Sequence, residues 1–74
     1  MPDQPAELKK LASIAADLEL DADMRIKAQG MLGRIGTRDA LLALLELAAN
    51  EELAVTERDL ALKQAREIIK SGRR

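Results

Sequence analysis

Cysteine, histidine and every aromatic residue are missing from this chain of 74 residues. Without cysteine no disulfide can form, and without cysteine or histidine the usual tetrahedral zinc sites are excluded. Histidine is also the most common general acid or base, so Ser13 and Ser71 have no imidazole to activate them. Aromatic rings are needed to stack single-stranded bases. The sequence therefore predicts a protein that is not an enzyme and has no metal or cofactor site.

Charge of neither sign dominates, because 12 basic and 13 acidic residues leave a net charge of −1. Such a balance gives no overall attraction to nucleic acid or to an anionic membrane. The longest apolar run, Ala40 to Leu45, is far shorter than the ~20 residues of a membrane-spanning helix. The first ten residues, "MPDQPAELKK", lack the apolar core of a secretory signal. We expect a cytoplasmic protein with neither a membrane nor a nucleic acid as its partner.

The residues that are present favour helices. The apolar 47% of the chain consists of Leu, Ile, Val, Met and 13 Ala, a composition typical of closely packed helices and poorly suited to sheets. We therefore expect a single all-α domain over residues 1–74.

Local signals place the first two helices. Pro5 suits a first helical turn and Glu7 favours the positive end of the helix dipole, which predicts a first helix from Pro5 to about Leu18. Asp21 or Asp23 can accept hydrogen bonds from the amides that open a second helix, and Gly36 is its expected C-cap. The periodicity predicts that one set of its residues points inward: Met24, Ala28, Met31, Leu32 and Ile35.

Two more helices follow. Thr37 is the expected N-cap of a third helix that has Asp39 in its first turn and ends near Ala49. Thr56 and Asp59 resemble a capping box, which predicts that a fourth helix opens there and ends at "SGRR". Its expected inward residues are Leu60, Ala61, Ala65, Ile68 and Ile69. Short connections between the helices imply that neighbouring helices run antiparallel.

The chain also matches itself at an offset of 33 residues. The pairs that align across this offset include Leu8/Leu41, Leu11/Leu44, Ala15/Ala48, Ala16/Ala49, Glu19/Glu52, Leu20/Leu53, Arg25/Arg58 and Ala28/Ala61. A repeat of two helices is the unit of an α-solenoid. We therefore predict two stacked helical hairpins, repeat 1 over residues 5–36 and repeat 2 over residues 37–72. Nine of the ten residues from Ala40 to Ala49 are apolar, so we expect the third helix to contact the other three.

One segment carries a family resemblance. "MRIKAQGMLGRIGTRDALLALLELAAN" has an Arg near the start of a helix, an Ala three residues later, a Leu-Gly-x-Ile-Gly ending and then Ala-Leu-x-x-Leu. These positions are Arg25, Ala28, Leu32 to Gly36, and Ala40 to Leu44. The segment resembles the HEAT-like repeats of phycobilisome-lyase-type proteins, which implies a short α-solenoid. The fourth helix lacks a second Leu-Gly-x-Ile-Gly, so it is either a divergent cap or a helix of a different fold.

Basic residues concentrate on the second and fourth helices, which form one layer of the expected stack. Those predicted to bind an acidic segment of a protein partner are Arg25, Lys27, Arg34, Lys63, Arg66 and Lys70. The alternative is a solvated face, since Asp59, Lys63 and Glu67 are spaced for weak ion pairs along one helix. Clustered acids at Asp17, Glu19, Asp21 and Asp23 lack the spacing of a calcium loop and are interpreted as a solvated, capping loop.

The leading functional hypothesis is a non-enzymatic helical-repeat module or scaffold that binds other proteins. The alternative is a small nucleic-acid-binding regulator whose third helix belongs to a helix-turn-helix, although that helix offers few polar side chains to base edges. We also predict a homodimer through the fourth helix, because its apolar residues exceed one inner stripe. The residues expected at this contact are Leu42, Leu45 and Leu62.

Overall fold

The computed structural model describes the backbone of residues 3–72 and the side chains of residues 6–71. Within this part of the chain there are four α-helices and no strand. The helices are α1 (Asp3–Ala16), α2 (Ala22–Ile35), α3 (Arg38–Ala48) and α4 (Val55–Gly72). The all-α prediction is confirmed. The first helix begins two residues before Pro5, and the fourth ends at Gly72, within "SGRR" as predicted.

The junction between α2 and α3 follows from local signals. Gly36 has a φ of 64°, a left-handed conformation that glycine adopts without steric cost, and its amide donates to the Leu32 carbonyl at 3.2 Å. Thr37 then caps α3, because its hydroxyl oxygen accepts a hydrogen bond from the Ala40 amide at 3.2 Å. The two predicted caps are confirmed, and only two residues separate these helices.

The opening of α4 differs from the prediction. The helix begins at Val55, so Thr56 lies inside its first turn and the capping box with Asp59 is wrong. The Ala54 carbonyl accepts hydrogen bonds from the backbone amides three and four residues further along the chain, both at 3.0 Å. Asp21, 33 residues earlier, opens α2 in the same way with its carbonyl at 3.0 and 3.2 Å. Its carboxylate makes no capping hydrogen bond, contrary to expectation.

The two loops that precede α2 and α4 have the same hydrogen bonds. In the first, the Asp17 carboxylate accepts from the Glu19 amide at 2.9 Å and the Asp17 carbonyl accepts from the Leu20 amide at 3.1 Å. In the second, the Asn50 side chain accepts from the Glu52 amide at 2.9 Å, and the Asn50 carbonyl accepts from the Leu53 amide at 3.1 Å. The offset between these bonds is the 33 residues of the sequence repeat.

An arginine closes each loop. Arg25 Nη1 donates to the Leu20 carbonyl at 2.6 Å, and Arg58 Nε donates to the Leu53 carbonyl at 3.2 Å. Both arginines lie in the first turn of their helix and reach back five residues. The correspondence at an offset of 33 residues therefore includes hydrogen bonds as well as residue identities.

The core consists of aliphatic residues from all four helices and the second loop. Its buried members are Ala15, Ala28, Leu32, Ala40, Leu44, Leu47, Leu53, Ala61, Ala65 and Ile68. Half of them are alanines, which let helix backbones approach closely. Met24, Met31 and Ile69 are 46%, 50% and 52% exposed, so the prediction that they point inward is wrong. The neighbouring helices leave about half of each of these side chains uncovered.

Helix α3 contacts α1, α2 and α4, as its apolar composition predicts. The most extensive contacts join α1 to α2 and α3 to α4, whereas α1 and α4 do not touch within residues 3–72. Contacts between α2 and α4 advance in the same direction along both helices, from Arg25 at Glu57 to Gly33 beside Gln64. None of the helices in this part of the chain is both long and apolar enough to cross a membrane.

Candidate functional site

Three of the predicted binding cations lie together on α4. Lys63, Arg66 and Lys70 are exposed and line one open depression with Glu67. Their spacing of three and four residues places them on one side of the helix. Three cations against one carboxylate give this depression a net positive charge.

The cations of α2 are placed differently. Arg34 is exposed and lines a second depression, between α1 and α2, with Glu7, Leu11, Met31 and Ile35. Lys27 is exposed but lines neither depression. The predicted set is therefore divided between two parts of the surface, and only its α4 members share one depression.

Arg25 does not fit the predicted role, because its guanidinium is engaged inside the molecule. Its Nε and Nη2 donate to the two carboxylate oxygens of Glu57 at 2.8 and 3.0 Å. The Arg25 and Glu57 side chains are only 12% and 4% exposed. Such a bidentate pair leaves Arg25 unable to bind an outside carboxylate without breaking an internal one.

This ion pair is supported by its surroundings. The hydrogen bonds from Arg25 hold the pKa of Glu57 below its ordinary value, against burial, which acts to raise it. The same bonds raise the pKa of Arg25. Nη1 of Arg25 also donates to the carbonyls of Leu20 and Asp17, so the guanidinium ties α2, α4 and the first loop together.

Sequence reasoning missed Glu57 and Gln29, two polar residues buried between α2 and α4. Gln29 Nε2 donates to the Glu57 carbonyl at 3.3 Å, and its Oε1 has no hydrogen-bond partner among the described residues. At the offset of 33 residues Glu57 aligns with Met24, and each of the two immediately precedes the recurring arginine. That arginine was the available signal, because a buried arginine requires an acid.

Gly33 completes the contact between these helices. A Cβ atom at this position would overlap Oε1 of Gln64, so the absence of a side chain makes room for the glutamine. The α2–α4 interface thus consists of an ion pair at one end, Gln29 in the middle and a glycine beside Gln64 at the other.

The residues predicted for self-association are on the surface. Leu42, Leu45 and Leu62 are 52%, 38% and 43% exposed. Two further apolar residues of α4, Val55 and Ile69, are also exposed and lie seven residues to either side of Leu62. Seven residues are nearly two helical turns, so the three side chains form a stripe.

The acidic loop at Asp17 acts as a local turn, as its backbone bonds show. Among the residues whose side chains are described, no three acids lie close enough to hold a metal ion. Neither a protein-family model, nor a curated protein, nor a solved structure matches the chain. The resemblance to HEAT-like repeats therefore stays a prediction based on the sequence motifs.

Proposed function

We propose that this protein is a non-enzymatic helical-repeat module that binds an acidic segment of a protein partner in the cytoplasm. The observation that carries the proposal is the depression formed by Lys63, Arg66 and Lys70 on α4. Cations that project from one side of a rigid helix give a fixed pattern for carboxylates to match. Lys27 and Arg34 on α2 extend the positive surface outside this depression.

The architecture that we propose for this module is a pair of stacked antiparallel hairpins, α1 with α2 and α3 with α4. Three observations support it. The loop bonds recur at the repeat distance, α2 and α4 advance in the same direction, and α1 does not touch α4 in the described residues. In a stack of repeats each unit contacts only its neighbour, so these are the expected relations.

The alternative, a helix-turn-helix regulator of nucleic acid, has less support. A recognition helix presents polar side chains to base edges in the major groove. The exposed residues of α3 beyond its first turn are Leu42, Leu45 and Glu46, two apolar groups and one acid. Such a surface does not complement DNA.

Affinity capture with charge-reversed variants tests the proposal. We expect wild type to retain a set of proteins with acidic segments, and Lys63→Glu/Arg66→Glu/Lys70→Glu to lose them. The matched control, Lys9→Glu/Lys10→Glu/Arg38→Glu, has the same change of charge at exposed positions elsewhere. It is expected to retain the set. Circular dichroism confirms that each variant remains folded.

Two results would contradict the proposal. If all three proteins retain the same set, the α4 cations do not select the partner. If the protein shifts generic duplex DNA in a gel, with an affinity that falls steeply as salt is raised, the alternative is favoured.

A further inference from the structure

The 33-residue repeat relates a covered surface of α2 to an exposed surface of α4. Arg25, Gln29 and Gly33 are the α2 residues that face α4. Their counterparts one repeat later are Arg58, Leu62 and Arg66. Leu62 and Arg66 are exposed and Arg58 is half-buried. The surface that α4 covers on α2 therefore has an open equivalent on α4 itself.

The same relation holds between α1 and α3. Ala12 and Ala16 of α1 line a groove with Ala43 and Leu47 of α3. One repeat later, Ala12 becomes Leu45, which is exposed. We define the end face as the exposed or half-buried residues of α3 and α4 that these relations identify: Leu45, Arg58, Leu62 and Arg66.

Arg58 has donors available for an acid. Its Nε donates to the Leu53 carbonyl, and no carboxylate pairs with it among the residues whose side chains are described. A guanidinium has five N–H donors. Its counterpart Arg25 binds the loop carbonyl through Nη1 and the Glu57 carboxylate through Nε and Nη2, whereas Arg58 has both of its Nη groups left for a carboxylate.

We propose that the end face binds an α-helix of a partner protein that places a carboxylate on Arg58 and apolar side chains on Leu62 and Leu45. The contact between α2 and α4 within the chain has the same chemistry. Helix α4 covers α2 with Glu57 in its first turn, followed by buried small and aliphatic residues at Ala61, Ala65 and Ile68. The inference rests on the proposed role as a protein-binding module, and its surface shares only Arg66 with the α4 depression.

A second copy of the chain suits this surface less well. In head-to-tail stacking, the residue of the second copy at the position of Glu57 is Met24, which has no charge to offer Arg58. In a two-fold antiparallel pairing centred on Leu62, Arg58 faces Arg66 of the other copy, since each lies four residues from Leu62. Like charges placed opposite each other oppose association.

Two synthetic peptides test the proposal. Each is a fluorescein-labelled, alanine-rich amphipathic helix of about 18 residues, long enough to be partly helical in water. One has Glu in its first turn and the other has Gln there. We expect wild type to bind the Glu peptide about tenfold more tightly than the Gln peptide, since hydrogen bonds between charged groups exceed those to neutral ones. Fluorescence anisotropy measures both affinities.

Variants of the end face identify the contact. Arg58→Met is expected to abolish the preference for the Glu peptide, and Leu62→Glu to weaken the binding of both peptides. Lys10→Met, at an exposed position of α1 outside both proposed binding surfaces, is the control and keeps the preference. Arg58 also closes a loop, so Arg58→Lys is included; it keeps the charge, cannot make the bidentate contact, and reduces the preference without abolishing it.

Three results would overturn the inference: failure of the Glu peptide to bind, equal affinity for both peptides, or an unchanged preference in Arg58→Met. A fourth contradicting result would come from sedimentation equilibrium. If wild type is a dimer and the Leu62→Glu variant is a monomer, a second copy of the chain covers the end face. If the inference fails while partner capture still depends on Lys63, Arg66 and Lys70, the proposed function stands without it.

Discussion

Replacement of Gly30 by alanine is expected to stabilise the protein. Gly30 lies in the interior of α2, and a Cβ atom there would meet nothing within 4 Å. Its φ is not positive, so alanine fits the backbone. Glycine in a helix interior costs about 0.8–1 kcal/mol relative to alanine. Gly30→Ala should therefore raise the free energy of unfolding by about 1 kcal/mol, and Tm by roughly 4–8 °C for a domain of this size.

The other two glycines of α2 and its cap serve as internal controls. Gly36→Ala forces a side chain into the left-handed conformation, which costs about 1–2 kcal/mol, so its Tm should fall. Gly33→Ala gains the same helix propensity as Gly30→Ala but displaces Gln64. It should therefore stabilise less than Gly30→Ala in the wild type, and equally in a Gln64→Ala background.

Thermal and urea unfolding, followed by far-UV circular dichroism, measures all of these variants. A lower Tm for Gly30→Ala would refute the conclusion that this position is open. Equal effects of Gly30→Ala and Gly33→Ala in the wild type would refute the close approach of Gln64 to α2.

Four other substitutions, one of them a control, test the ion pair, the core and the α3 cap. Because Arg25 lowers the pKa of Glu57, the pair stabilises the fold above the ordinary carboxyl pKa, and this stability is lost as pH falls through the lower folded-state pKa. Glu57→Gln should therefore be less stable than wild type at neutral pH, with a gap that narrows in acid; a gap independent of pH in urea unfolding would contradict the pair. Leu44→Ala removes a fully buried side chain and should cost about 2–5 kcal/mol. Leu42→Ala, at an exposed position of the same helix, should change stability by less than about 0.5 kcal/mol. Similar losses of stability in the Leu44→Ala and Leu42→Ala variants would contradict the assignment of Leu44 to the buried side of α3. Thr37→Ala removes the hydroxyl that caps α3 and should cost about 1 kcal/mol, whereas no change in Tm would mean that the cap contributes nothing.

Features set by a few neighbouring residues could be predicted from the sequence. Gly36 and Thr37 mark the α2–α3 junction because a left-handed glycine and a side-chain cap act over only four residues. The start of α4 was mispredicted because Thr56 has the right chemistry for a cap, yet the helix opens at the Ala54 carbonyl. That opening matches Asp21 one repeat earlier, so the repeat was the better guide.

Features set by packing between helices could not be predicted from periodicity. Met24 and Met31 fit the helical period of α2, but the period does not say which neighbours cover which sides. The burial of Glu57 depends on its pairing with Arg25 of another helix, which the period of α4 does not show. Periodicity also does not show that the Arg25 guanidinium pairs inside the molecule, so Arg25 does not fit the predicted binding surface. Lys63, Arg66 and Lys70 are exposed, as expected.

The ion pair between α2 and α4 also bears on how the helices align. Most of the core is alanine and leucine, and such side chains pack almost equally well if one helix slides along another by a turn. A slip of one turn would place the Glu57 carboxylate against Gln29 or Asp21 instead of Arg25. A buried carboxylate without its cation is strongly unfavourable, so every register but one is penalised. We expect Arg25→Met/Glu57→Met to remain helical and to lose this single alignment, with α2 and α4 exchanging between registers.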